Sequence, residues 1–68
     1  MNDVVGSLAG KIWHYLNDFG ETPVVKLKFA LNKPYSLIYL AIGWLLREDK
    51  IVLTYINNEF KVYLKKQN

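Results

Sequence analysis

The sequence predicts an α+β domain in which three helices are followed by a two-stranded β-hairpin. Apolar residues recur at steps of three and four over residues 3–48, two β-rich runs flank Asn57-Asn58, and short turn segments separate these stretches. The chain has 68 residues, is 51% hydrophobic and contains no cysteine. We therefore expect one domain over residues 1–68, stabilised by packing and not by disulfides.

The first helix is predicted over residues 3–19. Asn2 and Asp3 are both suitable N-caps, and Gly20 can end the helix in a left-handed conformation. Its apolar stripe comprises Val5, Leu8, Ala9, Ile12, Leu16 and Phe19.

A short second helix is predicted over residues 24–31, where Leu27 and Leu31 lie four residues apart. Thr22 can cap this helix, and Pro23 suits a first helical turn. The β-branched pair Val24-Val25 could instead form a short strand before the helix, and both interpretations stay open.

The third helix is predicted over residues 34–48, after the turn Asn32-Lys33-Pro34 and before Asp49-Lys50. Its inward stripe comprises Ile38, Ala41, Ile42 and Leu45.

Residues 51–56 and 59–64 are predicted to form the hairpin, because the asparagines at 57 and 58 tolerate the positive φ of a type I′ turn. A two-residue turn pairs residue 56 with 59, 55 with 60, 53 with 62 and 51 with 64. This register places six apolar residues on one face, all expected to face the core: Ile51, Leu53, Tyr55, Phe60, Val62 and Leu64. The opposite face is mixed: Val52, Thr54, Ile56, Glu59, Lys61 and Tyr63.

Helix, short helix, longer helix and hairpin is the order of a winged helix-turn-helix, with the hairpin as the wing. Several segments also carry a family resemblance: Gly6, Ala9-Gly10-Lys11-Ile12-Trp13, Ala41-Ile42-Gly43-Trp44-Leu45 and Arg47-Glu48-Asp49-Lys50-Ile51. Together they resemble an uncharacterised family of small prokaryotic winged helix-turn-helix proteins, a domain of unknown function, over nearly the whole chain. The resemblance implies a DNA-binding domain that can act as a homodimer.

The charge pattern gives an expectation for location. No charged residue occurs between Lys33 and Arg47, but this segment is shorter than the about 20 residues that a membrane-spanning helix needs. The N-terminus carries Asp3, whereas a secretory signal would be basic there. We expect a cytoplasmic protein that does not contact a membrane.

The sequence offers little chemistry. His14 is the only histidine, and no carboxylate lies at ligand spacing from it, so we read it as a surface residue. Neither Ser7 nor Ser36 lies in a motif that supplies a base, and the glycines form no phosphate-binding loop. We expect no enzyme activity, cofactor, metal or small-molecule ligand.

Nucleic-acid binding is the first functional hypothesis. The candidates are residues of the third helix, the turn before it and the wing: Lys33, Tyr35, Ser36, Tyr39, Arg47, Asn57, Asn58 and Lys61. A pI near 9.3 favours attraction to phosphates, although the lysines could equally serve solubility. The outward positions Leu37, Leu40 and Trp44 form a poor surface for reading base edges.

Self-association or a partner protein is the alternative hypothesis. Leu37, Leu40 and Trp44 recur at steps of three and four and give the third helix a second apolar stripe. A close approach by another element would explain Gly6 and Gly10, although fraying of the N-terminus is a rival explanation. Trp44 could instead pack inside the monomer. The dimer-interface candidates are Gly6, Gly10, Leu37, Leu40, Trp44 and Tyr63.

Overall fold

The computed structural model describes residues 1–66 as three helices and a three-stranded antiparallel sheet. The elements are α1 (Asn2–Phe19), β1 (Thr22–Pro23), α2 (Val24–Leu31), α3 (Tyr35–Arg47), β2 (Ile51–Ile56) and β3 (Glu59–Leu64). The strand order is β1-β3-β2, so β3 is central and β2 lies at one edge. This is the winged helix-turn-helix arrangement, and the predicted fold class is confirmed with one additional short strand.

The core lies between the three helices and the base of the sheet. Its buried apolar residues are Val5, Leu8, Ala9, Ile12, Leu16, Val24, Leu27, Ile38, Ala41, Ile42, Leu45, Ile51 and Val62. The predicted inward stripe of α3 is buried as expected, because these residues share one side of a helix with 3.6 residues per turn. Phe19, predicted in the stripe of α1, is instead exposed at the end of that helix.

The helix ends follow from backbone chemistry. Asp49 adopts φ 59° after α3, the Asp49 N–H donates to the Leu46 carbonyl, and the Lys50 N–H donates to the Leu45 carbonyl. This pair of bonds is a Schellman motif. Helix α1 begins at Asn2 with Met1 as its N-cap, and no side-chain hydrogen bond caps it within the described part of the chain. The predicted capping by Asn2 or Asp3 is therefore wrong.

The short strand β1 decides the alternative left open at Val24-Val25 and corrects the predicted roles of Thr22 and Pro23 in α2. Thr22 and Pro23 pair with Val62 and Lys61 of β3, while Val24 is already the first residue of α2. The Thr22 hydroxyl donates to the Gly20 carbonyl at 2.8 Å and does not cap α2. Because Thr22 is buried, its backbone groups need partners, and β3 supplies them.

The hairpin has the predicted register, from the pair of residues 51 and 64 to the pair 56 and 59. Asn57 and Asn58 adopt φ 55° and 61°, as a type I′ turn requires. The expectation that the whole inner face is buried is wrong for Tyr55, which is 58% exposed. A six-residue strand extends about 20 Å, and Tyr55 lies beside the tip, beyond the base that the helices cover.

Candidate interaction surface on helix α3 and the wing

The outer side of α3 carries little charge. Since successive helical residues are rotated by about 100°, the side opposite the buried stripe comprises Ser36, Leu40, Gly43 and Arg47, all exposed. Leu40 is 53% exposed at the centre of this side. Arg47 is the only charged residue of the helix and lies at its C-terminal end. Leu40 is the one large apolar side chain of this side, and the only charge of this side lies at one end.

The side of α3 that faces α1 is partly covered within the chain. A Cβ atom built on Gly6 would lie 3.4 Å from the Trp44 indole, so Gly6 is explained by the approach of Trp44. Trp44 nevertheless stays 37% exposed. Leu37 is half-buried and packs against the core. The prediction of an exposed stripe through Leu37, Leu40 and Trp44 is therefore wrong at Leu37, and Leu40 is the most exposed of the three.

The opposite flank of α3 faces the wing through aromatic contacts. The Tyr39 ring meets Phe60 edge-on with centroids 5.9 Å apart, and Phe60 in turn contacts Tyr55 at 4.4 Å. Tyr35 stacks on Tyr39 at 6.1 Å. Leu46 lies two turns after Tyr39 on the same flank and is 42% exposed. Leu46 was not among the residues predicted to lie at an interface. Its position outside the inward stripe of α3 nevertheless indicates that it is exposed.

A groove of about 640 Å³ lies between the N-terminal half of α3 and the tip of the wing. Its lining comprises Val25, Tyr35, Tyr39, Asn57, Asn58, Glu59 and Phe60. The fold thus brings together Tyr35, Tyr39, Asn57 and Asn58 of the nucleic-acid candidates. Glu59 adds a carboxylate to the same groove, which disfavours a phosphate there.

The basic candidates are spread over the surface. Lys61 Nζ lies 3.8 Å from Glu59 Oε1, so its charge is partly offset. Lys33 is half-buried in the turn between α2 and α3. Arg47 ends α3, about 18 Å along the helix from Tyr35 at its start, whereas Lys33 lies in the turn before that start. These residues do not form one continuous basic patch.

The dimer candidates also lie on different surfaces. Gly6 and Trp44 meet between α1 and α3, whereas Leu40 faces outward. Gly10 is exposed, and a Cβ atom there would meet no other heavy atom of the described residues within 4 Å. Tyr63 lies on the face of β3 opposite that of the buried Val62, away from the helices. These positions do not form one interface.

Residues 1–66 contain no group of three or more histidine or acidic side chains that could hold a metal ion. Within the same residues, no helix has both the length and the apolar character needed to cross a membrane. His14 is exposed on α1, edge-on to Trp13 with ring centroids 5.2 Å apart.

A three-helix core, a helix-turn-helix formed by α2 and α3, and a β2–β3 wing define a small winged helix-turn-helix domain. The chain belongs to the family described as "Winged helix-turn-helix domain (DUF2582)", which matches residues 1–64. It is 36% identical over 64 residues to the uncharacterized protein MJ1608 of Methanocaldococcus jannaschii, covering 90% of each chain. The predicted family resemblance is confirmed.

A solved structure has the same fold. The solution NMR structure of protein BT2368 from Bacteroides thetaiotaomicron superimposes with a TM-score of 0.83 at 35% identity. The match covers 94% of this chain and 79% of that one. The similarity extends from the helices through the wing.

Proposed function

We propose that this protein is an interaction module that forms a homodimer through the outer side of α3. One observation carries the proposal: Leu40 is 53% exposed beside Gly43, where a Cβ atom would have no other heavy atom of residues 1–66 within 4 Å. Glycine inside a helix costs about 1 kcal/mol relative to alanine. A close approach by a second helix explains why glycine occupies this position despite that cost.

The two residues are complementary in shape. Leu40 projects from α3, and Gly43 leaves a gap three residues further along the same side. In an antiparallel pair of α3 helices, Leu40 of each copy fits over Gly43 of the other, which is the reciprocal contact that a two-fold axis produces. Arg47 then lies at the rim of the interface, where its charge stays in water.

Leu40 alone is not sufficient for a stable dimer. Burying the remaining exposed half of both Leu40 side chains contributes about 1.5–3 kcal/mol in total. Association costs about 4–15 kcal/mol in lost translational and rotational freedom. The dimer therefore needs additional surface next to α3, and the exposed Leu46 on the wing flank is one contribution.

Sedimentation equilibrium over a wide concentration range at moderate salt tests this proposal. We expect the wild type to form a dimer and Leu40→Asp to be monomeric, because two buried carboxylates would lie at the interface. Val4→Asp is the matched control, since Val4 is similarly exposed, at 47%, but belongs to α1 and not to the proposed α3 contact. A wild type that stays monomeric at high concentration contradicts the proposal, as does a Leu40→Asp variant that dimerises normally.

DNA binding is a second candidate function, favoured by the charge of the helix-turn-helix segment. Residues 22–47 carry Lys26, Lys28, Lys33 and Arg47 and no acidic residue. In DNA-binding proteins of this fold, α2 and the turn contact phosphates while α3 enters the major groove. Because Leu40 and Gly43 occupy the centre of the outer side of α3, this candidate depends on phosphate contacts from α2 and the turn, which are sequence-independent and sensitive to salt.

Fluorescence anisotropy with a labelled DNA duplex at several salt concentrations tests this second candidate. We expect Lys33→Glu to weaken binding strongly and Lys66→Glu to weaken it little, although both change the net charge equally. Equal effects of the two substitutions would indicate attraction by total charge alone. No binding by the wild type at low salt would exclude DNA as a ligand.

A further inference from the structure

The β2 edge of the sheet is unprotected. Sheets with exposed edges usually have short edge strands, charges, prolines or bulges that prevent pairing with another chain. The other edge follows this rule, because β1 has only two residues and one of them is Pro23. Strand β2 has six residues with the sequence IVLTYI and pairs with β3 without a bulge. It contains no charge and no proline.

The register shows which backbone groups of β2 are free. In a hairpin with a two-residue turn, Ile56 exchanges both backbone hydrogen bonds with Glu59, and the pattern then alternates along the strand. Just before β2, the Lys50 carbonyl accepts a hydrogen bond from the Lys65 N–H at 3.0 Å. This bond confirms that the backbone N–H and C=O groups of the even-numbered residues point toward β3. The N–H and C=O groups of Leu53 and Tyr55 therefore point away from the sheet, with no partner strand among residues 1–66.

The side chains of β2 are also suited to a neighbouring strand. Tyr55 is 58% exposed and Ile56 is 65% exposed, so both faces of the outer half present large apolar groups at the edge. Val52 and Thr54 lie beside Ile56 on the outer face. β-Branched and aromatic cross-strand pairs are those that stabilise antiparallel sheets most.

We propose that β2 pairs antiparallel with β2 of a second copy, forming a continuous six-stranded sheet across a two-fold axis. This inference rests on the proposed self-association and adds the edge of β2 as the further surface that the α3 contact needs. Because the free groups belong to odd-numbered residues, Leu53 pairs either with Leu53 or with Tyr55 of the other copy. In both registers the Thr54 residues of the two copies lie near each other on the outer face.

A second copy suits this edge because the position of α3 agrees with the same symmetry. Helix α3 packs on β2, whereas α1 and α2 pack mainly on β3. A two-fold axis perpendicular to the joined sheet places both α3 helices on the same face of it. The exposed Leu46 on the wing flank of α3 is then available for contact between the copies.

Amide hydrogen exchange followed by NMR tests the pairing with a control inside the same strand. Thr54 and Ile56 amides bond to β3 in the monomer and should be protected at every protein concentration. Leu53 and Tyr55 amides should become protected only as the dimer forms. At nine-tenths dimer their exchange should slow by about tenfold, because only the monomer fraction exposes them. A wild-type dimer in which these two amides exchange as fast as in the monomer overturns the inference.

Substitutions at Thr54 test the symmetry. Thr54→Glu faces Lys61 across the hairpin, so the wing should fold, but two carboxylates would meet across the two-fold axis. We expect the dimer dissociation constant of Thr54→Glu to rise by about tenfold or more. The Thr54→Lys variant should likewise not form a homodimer. An equimolar mixture of the Thr54→Glu and Thr54→Lys variants should form a heterodimer. Thr54→Val is the matched control and should dimerise like the wild type.

These experiments separate the two proposals. If Leu40→Asp is monomeric while both charged Thr54 variants dimerise like the wild type, the β2 pairing is wrong and the α3 dimer stands. If the wild type is monomeric at all concentrations, both proposals are wrong. If the mixed Thr54 variants associate while each alone does not, the pairing is supported.

Discussion

Gly43→Ala separates the intrinsic stability of α3 from its role in association. Gly43 lies in the interior of a thirteen-residue helix, and a methyl group there would meet no other heavy atom of residues 1–66 within 4 Å. Alanine should therefore add its full helix propensity, about 1 kcal/mol relative to glycine. In a domain of this size, that free energy raises the Tm by roughly 4–8 °C.

The same methyl group should weaken the dimer, because it occupies the gap over which Leu40 of the other copy is proposed to pack. Gly10→Ala is the matched control, since Gly10 is exposed in α1 and a methyl group there would likewise have no other described heavy atom within 4 Å. We expect both variants to gain similar unfolding free energy at concentrations where the protein is monomeric. Only Gly43→Ala should raise the dissociation constant.

Urea unfolding at low protein concentration measures the first effect, and sedimentation equilibrium measures the second. A Gly43→Ala variant that gains stability and dimerises like the wild type would refute the packing of Leu40 over Gly43. If neither glycine variant gains stability, the helix-propensity argument is wrong for both helices.

Three further predictions concern the fold and are checked by urea unfolding of the monomer. Leu27→Ala should lower the unfolding free energy by about 2–5 kcal/mol, because Leu27 is fully buried and its removal leaves a cavity; a loss below 1 kcal/mol would contradict this packing. Asn58→Val should cost about 1–2 kcal/mol, because Asn58 adopts φ 61° and a β-branched residue is strained there, whereas Asn58→Gly should be tolerated. Asp49→Gly should be neutral or stabilising: it relieves the positive φ of 59°, and the pair it removes, Asp49 with Lys65 at 2.7 Å, is largely exposed and contributes little.

The hairpin was fully predictable from local signals. Alternation of apolar residues and the Asn57-Asn58 turn together determine its register, because a shift by one residue would invert both faces. How far the hairpin projects beyond the helices was not encoded in that alternation. Tyr55 therefore satisfies the pattern of a core residue while lying mostly in solvent.

The features that were missed depend on contacts distant in sequence. Strand β1 exists because Thr22 pairs with Val62, and nothing within a two-residue segment indicates such a partner. The orientation of Trp44 depends on the absence of a side chain at Gly6 in another helix. Periodicity showed that α3 is apolar on more than one side, but it could not distinguish Leu37, which packs against the core, from Leu40, which does not.

The two candidate functions make opposite demands on α3, and this opposition allows one experiment to rank them. A helix that reads base edges must be free to enter the major groove, whereas the proposed dimer covers its outer side. Leu40→Asp cannot rank the two functions, although it is expected to be monomeric and to expose α3. Its added carboxylate would face the DNA phosphates and weaken DNA binding by itself. Leu40→Ser removes the apolar group without adding charge and is the informative variant. If Leu40→Ser is monomeric and binds DNA at least as well as the wild type, dimerisation and DNA binding compete for the outer side of α3. If affinity falls as the dimer is lost, DNA is bound by the paired Lys26, Lys28 and Lys33 surfaces of a dimer.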